Sequence, residues 1–510
     1  MDKKLHCQML SSINVTKSTI MRIIKESIMS KEKVTNDGKA TQSSNKVKGE
    51  GKTNGETGSQ REVYVDSFTI NVFFDGTKNN LYNIEHRKKN PQMYKGKETA
   101  SKYESYFNDH SNVSYLYQAR EQKANIGWAY IEGIGTGAEQ INHLDRENKD
   151  RARKGFPLKD REYYTDSQQG FAFGSGYTGI GTRVFQSFEK IQTMVKQSLG
   201  DRIPTILILN IFGFSRGAAA ARHFLHRVKT EPQLFKGWNL KRERIIVNFV
   251  GLFDTVSSFS PEYTIPEPTS AFDNDVKELH LNFERGYASK VFHLTAADEY
   301  RQYFSLTNID SAINNGFGME VAISGAHADV GGSYQSEAQK KPFPVKKNVP
   351  GMKKWFQEQG FFKENDINWL KSRTSQNAMV GAIETPEMMT AIRKNVIPND
   401  YARVAFRIMR LIVETHCSDK VIAFNRGRIK ERETSQFPEI IELLNKLPYD
   451  IQKVSKNTWG KSYNFELSQY YSPEQVRKIR YKYIHWSAKD ELGYELRTKN
   501  GLPFRKIHEG

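Results

Sequence analysis

Cysteine is nearly missing from this sequence of 510 residues. Its two cysteines, Cys7 and Cys417, are too few and too far apart for a disulfide framework or a thiolate metal site. Long apolar runs are also missing, since no stretch approaches the roughly 20 apolar residues of a membrane-spanning helix. Near the start, Lys17, Arg22 and Lys25 interrupt the apolar stretch that a secretory signal requires. We therefore expect a chain made without a signal peptide and without a membrane span.

Positive charge is in excess, with a formal net charge of +18. Such a surplus fits two classes of partner, nucleic acids and anionic surfaces such as phospholipid headgroups. The lysines and arginines are scattered, with short clusters such as Arg87-Lys88-Lys89, and no nucleic-acid-binding motif is recognisable. We therefore expect no nucleic-acid partner.

Changes in composition divide the chain into three parts. Residues 1–61 are predicted to be a flexible leader and linker, in which Ile20, Ile23, Ile24 and Ile28 recur at the spacing of a short amphipathic helix. Residues 62–335 are predicted to be the catalytic domain. Residues 336–510 are predicted to be a helical region that packs on that domain or caps it. Helices are expected at Thr385–Lys394 and Tyr401–Thr415.

Apolar runs separated by segments long enough for helices set the expected fold of the catalytic domain. Five such runs read as buried strands: Phe68–Phe74, Trp128–Ile134, Ile203–Phe212, Ile245–Phe253 and Met319–Ser324. This alternation predicts an α/β fold, namely an α/β-hydrolase-like, mostly parallel sheet with helices on both faces.

The strongest local motif is Gly213-Phe214-Ser215-Arg216-Gly217, which directly follows a predicted strand. A nucleophile elbow turns so sharply from strand to helix that side chains two residues either side of the serine would collide, and glycines remove them. Small residues, Ala218 to Ala221, then allow the next helix to cross the sheet closely. Ser215 is therefore the predicted nucleophile of a serine hydrolase.

A serine nucleophile requires a base, and the base requires a carboxylate that fixes its tautomer. In this fold the chain order is serine, acid, histidine. Asp254 ends a predicted strand and His327 follows another between glycines, so both are expected at the carboxyl edge of the sheet. The alternative acids are Asp329 and Asp298. The competing histidines are His223, His226, His280 and His293.

The oxyanion hole requires backbone N–H donors, one from the residue after the nucleophile and one from a loop after an earlier strand. Arg216 is predicted to supply the first, and Gly76 or Thr77 the second. Asp75-Gly76-Thr77 also resembles the start of phosphotransferases with an aspartyl nucleophile, but Phe73 occupies the place of that aspartate. The glycine-rich Gly174–Gly181 lacks the lysine of a phosphate-binding loop.

Four motifs together resemble one known family. They are Phe74-Asp75-Gly76-Thr77 with Asn79, Gly213 to Ala219, Gly251 to Val256, and Gly325 to Gly332. In this order they are similar to the catalytic domain of type VI secretion phospholipase effectors of the first lipase-effector family. The resemblance covers about Phe68 to Tyr334 and extends weakly to Tyr483-Ile484-His485-Trp486-Ser487.

The resemblance implies a Ser-Asp-His triad at Ser215, Asp254 and His327 that hydrolyses acyl esters of glycerophospholipids, as an A1- or A2-type phospholipase. It implies no metal and no organic cofactor. It also implies synthesis in a bacterial cytoplasm, secretion by a contractile apparatus and action in the periplasm of target cells. The implied partners are a phospholipid membrane surface, a cognate immunity protein and a spike or tube component of the apparatus.

Two departures from the family pattern concern docking rather than chemistry: the leader of about sixty residues lies outside the motif set, and the C-terminal region is short for a large membrane-anchoring module. Other functions remain open as well. The same fold serves carboxylesterases, thioesterases and acyltransferases. A non-catalytic basic binding protein is the more distant alternative.

Overall fold

In the computed structural model, the described residues are 64–137, 166, 178–258, 279–338, 343–346, 351–370, 388–393, 395–489 and 494–510. The helix predicted near Ile20 lies outside them, as do residues 174–177 of the glycine-rich Gly174–Gly181. Residues Ser67–Gly510 form one compact unit.

Sixteen strands are described. They are β1 (Tyr64–Phe74), β2 (Ile126–Ile131), β3 (Ile203–Phe214), β4 (Ile245–Phe253), β5 (Val291–Ala296), β6 (Leu306–Thr307), β7 (Gly318–Ile323), β8 (Glu337–Ala338), β9 (Phe343–Lys346), β10 (Ile367–Leu370), β11 (Met388–Ala391), β12 (Val396–Ile397), β13 (Lys461–Phe465), β14 (Thr498–Lys499), β15 (Leu502–Pro503) and β16 (Ile507–His508).

Twelve α-helices are described between and after these strands. They are α1 (Leu81–Lys89), α2 (Glu104–Phe107), α3 (Asn112–Gln118), α4 (Ile180–Leu199), α5 (Arg216–Thr230), α6 (Asp310–Asn314), α7 (His327–Gly331), α8 (Met352–Gln359), α9 (Ala402–His416), α10 (Arg426–Glu433), α11 (Pro438–Asn457) and α12 (Pro473–Tyr483).

The central sheet has seven strands in the order β13-β7-β5-β4-β3-β1-β2. The pairs β1 with β2, β3 with β4, β4 with β5, β5 with β7, and β13 with β7 are parallel. The predicted α/β class with a mostly parallel sheet is confirmed. Because parallel strands end at one edge, the loops after β1, β3, β4 and β7 lie on the same side of the sheet.

Helices cover both faces of this sheet. Phe73 and Phe74 are neighbours on β1 and therefore point to opposite faces. Phe74 packs on Phe224 of α5 with ring centroids 5.5 Å apart, whereas Phe73 packs on Tyr117 of α3 at 5.8 Å. Phe73 also stacks on Phe212 at 4.8 Å. Aromatic packing of this kind provides much of the apolar burial that holds the layers together.

A row of three amides crosses the sheet on the face of Phe73; two of them are buried and that of Asn248 is half-buried. Asn210 donates to Oδ1 of Asn71 at 2.8 Å, and Asn248 donates to Oδ1 of Asn210 at 2.9 Å. Asn71 in turn donates to the carbonyl of Val421, which follows α9, at 3.2 Å. Because buried polar groups require partners, this row ties three strands and the C-terminal region to one register.

Two strands of the central sheet were not predicted from the sequence. β5 is fully buried but only six residues long, and β13 lies in the region that was expected to be helical. β13 pairs with β7 from Lys461 opposite Met319 to Phe465 opposite Ile323. The C-terminal region therefore supplies an edge strand of the central sheet in addition to its helices.

The two helices predicted after Tyr334 have different outcomes. The predicted helix Tyr401–Thr415 is confirmed as α9, with its apolar side buried. The helix predicted at Thr385–Lys394 is wrong over its described part, because Met388–Ala391 is the central strand of a three-stranded antiparallel sheet with β9 and β10. Thr385 and Pro386 resembled a helix start, but strand pairing decides the local conformation. No helix among the described residues is long and apolar enough to cross a bilayer.

The tight packing of Gly217 leads to the first prediction. A Cβ atom at Gly217 would lie 2.1 Å from the carbonyl oxygen of Asp75. Gly217→Ala should therefore lower the free energy of unfolding by about 1–3 kcal/mol, through overpacking against backbone. Thermal or chemical unfolding of the purified variant measures the change.

Gly181→Ala is the matched control, since Gly181 lies in α4 and a Cβ atom there would meet nothing within 4 Å. It should leave stability unchanged or raise it by up to about 1 kcal/mol. Equal destabilisation by both changes would contradict the packing argument.

Candidate active site

Ser215 occupies a sharp turn between β3 and α5. Its φ of +59° lies in the left-handed region, which a residue with a side chain adopts only when its surroundings enforce it. The backbone around it is crowded, because a Cβ atom at Gly213 would lie 2.6 Å from Cα of Ala218. Ala218 to Ala221 are fully buried where α5 crosses the sheet. The predicted elbow geometry is therefore present at this serine.

Backbone hydrogen bonds tie Ser215 to the end of β4. The N–H of Ser215 donates to the carbonyl of Phe253 at 3.0 Å, and the N–H of Val256 donates to the carbonyl of Ser215 at 3.4 Å. These bonds bracket Asp254, which itself has a φ of +43°. Two strained residues at neighbouring strand ends are thus held together, as is common in sites that fix side chains for chemistry.

Asp254 and His327 form a hydrogen-bonded pair beside this turn. Nδ1 of His327 lies 2.5 Å from Oδ2 of Asp254, and the carboxylate is fully buried. The His327 ring packs on Phe214 with centroids 4.7 Å apart, and Phe214 directly precedes Ser215. The structure thus brings together the three predicted triad residues at one edge of the sheet.

The carboxylate of Asp254 has a further partner that sequence analysis missed. Arg505 contacts Oδ1 of Asp254 through Nη1 at 2.7 Å and Oδ2 through Nη2 at 2.9 Å. The N–H of Ala296 also donates to Oδ1 at 2.9 Å. Burial raises the pKa of Asp254, but the positive charge of Arg505 and the hydrogen bond with His327 outweigh burial and hold that pKa well below its usual range. Asp254 is therefore ionised at neutral pH.

A second ion pair lies behind His327. Oε2 of Glu299 accepts from the backbone N–H of His327 at 3.1 Å, and Arg301 pairs with Glu299 at 2.9 Å. Burial lowers the pKa of His327, while the hydrogen bond and charge of Asp254 oppose that effect only in part. The imidazole is therefore neutral at pH 7, as a general base must be.

The loop after β1 is organised by Asp75. Its carboxylate accepts from Oγ of Ser111 at 2.5 Å, from the hydroxyl of Tyr130 at 2.5 Å and from the N–H of Gly76 at 2.7 Å. Burial raises the pKa of Asp75 to about 6, although these hydrogen bonds oppose the rise. This network shapes the loop that lies against Gly217.

The predicted oxyanion donors are only partly compatible with this network. The N–H of Gly76 is engaged by Asp75, so the structure argues against a donor role for it. Gly76 instead provides room, since a Cβ atom there would lie 2.4 Å from the Phe214 ring. Thr77 lies beside Arg216, whose Nε donates to its Oγ1 at 2.9 Å. The backbone N–H groups of Thr77 and Arg216 thus stay the predicted donors of the oxyanion hole.

The alternative acids have other partners. Asp329 pairs with Nδ1 of His485 at 2.6 Å and accepts from the N–H of Ala326 at 3.0 Å. Asp298 pairs with Arg480 at 3.1 Å. Of the three carboxylates, Asp254 is the one that bonds the imidazole of His327.

The competing histidines also lie in other surroundings. Nδ1 of His223 lies 2.8 Å from the carbonyl oxygen of Leu279, and His226 stacks on His280 at 4.3 Å. His293 is buried in β5 between Thr255 and Glu320. Each of these contacts is structural, so His327 remains the candidate base.

The segment Tyr483 to Ser487 supports the site from behind. Oγ of Ser487 donates to Oε1 of Glu299 at 2.9 Å, and His485 stacks on Tyr334 at 4.1 Å. The weak resemblance noted for this segment was thus a usable signal. Arg505 gave no such signal, because it is 251 residues from Asp254 in sequence and stands in no recognisable motif.

Comparison with known proteins gives one family-model match. Residues 226–352 match the model described as type VI secretion system phospholipase effector Tle1-like, catalytic domain. This segment includes Asp254 and His327 and begins after Ser215. The comparison with curated proteins gives no significant match.

The solved structures that are similar to this chain include the following two. The first is the Tle1 effector bound to the VgrG spike from the type VI secretion system, with 20% identity and a TM-score of 0.54, over 92% of this chain and 99% of that one. The second is an uncharacterised protein from Pseudomonas aeruginosa, with 16% identity and a TM-score of 0.34, over 81% of this chain and 52% of that one. The first likeness establishes a common fold. By the family-model match and this fold, the resemblance of the chain to type VI secretion phospholipase effectors of the Tle1-like family is confirmed.

Proposed function

We propose that this chain is a serine phospholipase of the A1 or A2 type, with Ser215 as nucleophile, His327 as general base and Asp254 as the orienting acid. The observation that carries the proposal is the 2.5 Å hydrogen bond between Asp254 and His327 beside a strained serine turn. The match to phospholipase effectors supplies the substrate class.

The reaction follows from the positions of these groups. His327 takes the proton of Ser215 while Oγ attacks the ester carbonyl, and the tetrahedral intermediate then expels the alcohol, which receives that proton from the imidazolium. Water enters next and gives a proton to His327 as it attacks the acyl-enzyme, after which the fatty acid is released and the imidazolium returns that proton to Oγ of Ser215. Asp254 keeps the Nδ1–H tautomer and stabilises the imidazolium in both steps.

The oxyanion of each tetrahedral intermediate requires donors that are in place before the charge appears. We assign this role to the backbone N–H groups of Arg216 and Thr77. Loss of one such donor costs about 3–4 kcal/mol of transition-state stabilisation. The bond from Arg216 to Oγ1 of Thr77 supports this assignment, because it holds the two donor residues side by side.

Where the enzyme acts is also part of the proposal. We propose that the chain is secreted by a type VI apparatus and acts on the periplasmic side of target membranes. The Tle1 structure is that of an effector on a VgrG spike, which supports a spike protein as the loading partner. We also propose that the producer cell contains a cognate immunity protein. The net charge of +18 suits binding to anionic lipid.

The triad proposal is tested by a single substitution at each of its three residues. Ser215→Ala should lower turnover by several orders of magnitude while folding is kept, since the triad acts as a unit. Asp254→Asn should lower turnover by about 10³–10⁴-fold, and His327→Ala by at least as much. Hydrolysis of a chromogenic ester, with unfolding temperature measured in parallel, gives the result.

Asp329→Asn and His485→Ala are the matched controls, since they break a similar buried pair at 2.6 Å. Per folded molecule they should retain most of the activity. Inactive Asp329→Asn together with active Asp254→Asn would require the acid to be reassigned.

The substrate class is tested by mass spectrometry of the products. Wild-type protein on phosphatidylethanolamine and phosphatidylglycerol vesicles should release lysophospholipid and free fatty acid, and the lysophospholipid isomer shows which acyl position is cleaved. Ser215→Ala should release neither product. Activity on short soluble esters or thioesters alone would favour the esterase or thioesterase alternative, and a lack of labelling by a fluorophosphonate would favour a non-catalytic basic protein.

The site of action is tested in a susceptible bacterium that expresses one of four forms: wild type or Ser215→Ala, each with or without a periplasmic export signal. Only the exported wild type should stop growth and admit a membrane-impermeant dye, because acyl loss disrupts the bilayer. Equal toxicity of the two exported forms would refute hydrolysis as the cause. Toxicity confined to the wild type without an export signal would indicate a cytoplasmic target.

A further inference from the structure

The C-terminal segment reaches the proposed triad through one side chain. We propose that Arg505 is a positioning residue that holds the carboxylate of Asp254 in the orientation and ionisation state that His327 requires. The inference rests on the proposed function, because it assigns Asp254 and His327 their triad roles. Arg505 contacts the acid of the triad.

The guanidinium of Arg505 matches its surroundings at every nitrogen. Nη1 and Nη2 contact the two oxygens of Asp254, Nη1 also donates to the carbonyl of Ala296 at 2.8 Å, and Nε donates to the carbonyl of Phe304 at 3.1 Å. The side chains of Arg505 and Asp254 are 8% and 0% exposed. Such a planar fork fixes the rotation of a carboxylate, which the single ammonium group of a lysine does not do.

The segment that carries Arg505 is hydrogen-bonded through its backbone to the loop beside Asp254. β16 pairs in parallel with β6, with Ile507 opposite Leu306. The N–H of Leu306 donates to the carbonyl of Lys506 at 3.0 Å, and the N–H of Thr307 donates to the carbonyl of Thr255 at 3.0 Å. The backbone therefore holds Arg505 at a set distance from Asp254, as a positioning role requires.

Arg505 also acts on the charge balance around His327. The charged groups that face this imidazole are Asp254, Glu299 with its partner Arg301, and Arg505 behind Asp254. Glu299 and Arg301 compensate each other, so removal of the Arg505 charge leaves an excess negative charge at Asp254. An excess negative charge favours the imidazolium. The pKa of His327 should therefore rise when Arg505 becomes neutral.

Three variants of the full chain separate these effects. Arg505→Gln removes both the charge and the fork, whereas Arg505→Lys keeps the charge and loses the fork. Arg497→Gln is the matched control, since Arg497 ties the same segment to the same loop through Oγ of Ser305 at 3.3 Å. Activity is expressed per site labelled by a fluorophosphonate, so that loss of folded protein does not enter the comparison.

Both Arg505 variants should lose about 10- to 100-fold in turnover per active site, because a small misplacement of a catalytic group has effects of this size. In Arg505→Gln the acidic limb of the kcat/KM profile should move up by about one pH unit, because this limb reports the pKa of the base. In Arg505→Lys the limb should stay near that of the wild type. Arg497→Gln should match the wild type in both measurements.

A purely structural role predicts a different pattern. If Arg505→Gln lowers the unfolding temperature but keeps wild-type turnover per labelled site and an unchanged acidic limb, the proposal is overturned. If Arg505→Gln does not fold, Arg505→Lys decides through its turnover per site, and wild-type turnover in that variant overturns the proposal.

Imidazole titration of His327 by NMR distinguishes failure of this inference from failure of the proposed function. The His327 signal is assigned by its loss in His327→Gln. A raised pKa in Arg505→Gln or, if that variant does not fold, a displaced His327 resonance in Arg505→Lys supports the inference even if no ester is hydrolysed. An unchanged titration in a folded Arg505→Gln overturns the inference even if the wild type is an active phospholipase.

Discussion

The buried carboxylate of Asp254 is the constraint around which much of the structure is arranged. A carboxylate with no exposed surface is destabilising unless charge and hydrogen bonds compensate it. Here compensation comes from three places that are apart in sequence: the backbone at the end of β5, the imidazole of His327 and the guanidinium of Arg505. The C-terminal segment is thereby held at the edge of the sheet where the proposed triad lies, so one contact contributes both to the attachment of this segment and to the electrostatics of the site.

Close backbone packing is the second constraint, and it acts on the turn of the proposed nucleophile, Ser215. Gly217 lies so near the carbonyl oxygens of Phe74 and Asp75 that no side chain fits there. The same loop after β1 holds Gly76 and Thr77, and its shape depends on the carboxylate of Asp75. The turn at Ser215 thus lies between the ends of β1 and β4, and tertiary contacts rather than local preference stabilise its left-handed φ.

These two constraints explain which features were predictable from sequence. The elbow was predictable from local sequence, since its glycines, its serine and the apolar strand before it are adjacent. Asp254 and His327 were predictable because each follows an apolar run. Arg505, Glu299 and Arg301 were missed because an ion partner is chosen by tertiary proximity, and basic residues are too common in this chain to stand out. The strand Met388–Ala391 was mistaken for a helix because Thr385 and Pro386 imitate a helix start, whereas pairing with β9 and β10 stabilises the extended form. β13 was missed for a similar reason: as a half-exposed edge strand it lacks a continuous apolar run.

The pairing of charges also bears on how the proposed base works. The surroundings of His327 hold two negative and two positive groups, in the pairs Asp254 with Arg505 and Glu299 with Arg301. A lone carboxylate would stabilise the imidazolium in the free enzyme and thereby remove the base near neutral pH. With Arg505 in place, Asp254 still fixes the tautomer of His327, while part of its charge is compensated before the reaction begins. Burial lowers the pKa of His327, and the hydrogen bond and charge of Asp254 offset that effect only in part, which favours the neutral imidazole that the proposed reaction requires. On the proposed roles, the ion pair therefore separates orientation from charge: Asp254 holds the tautomer of His327, while Arg505 compensates part of the charge of Asp254.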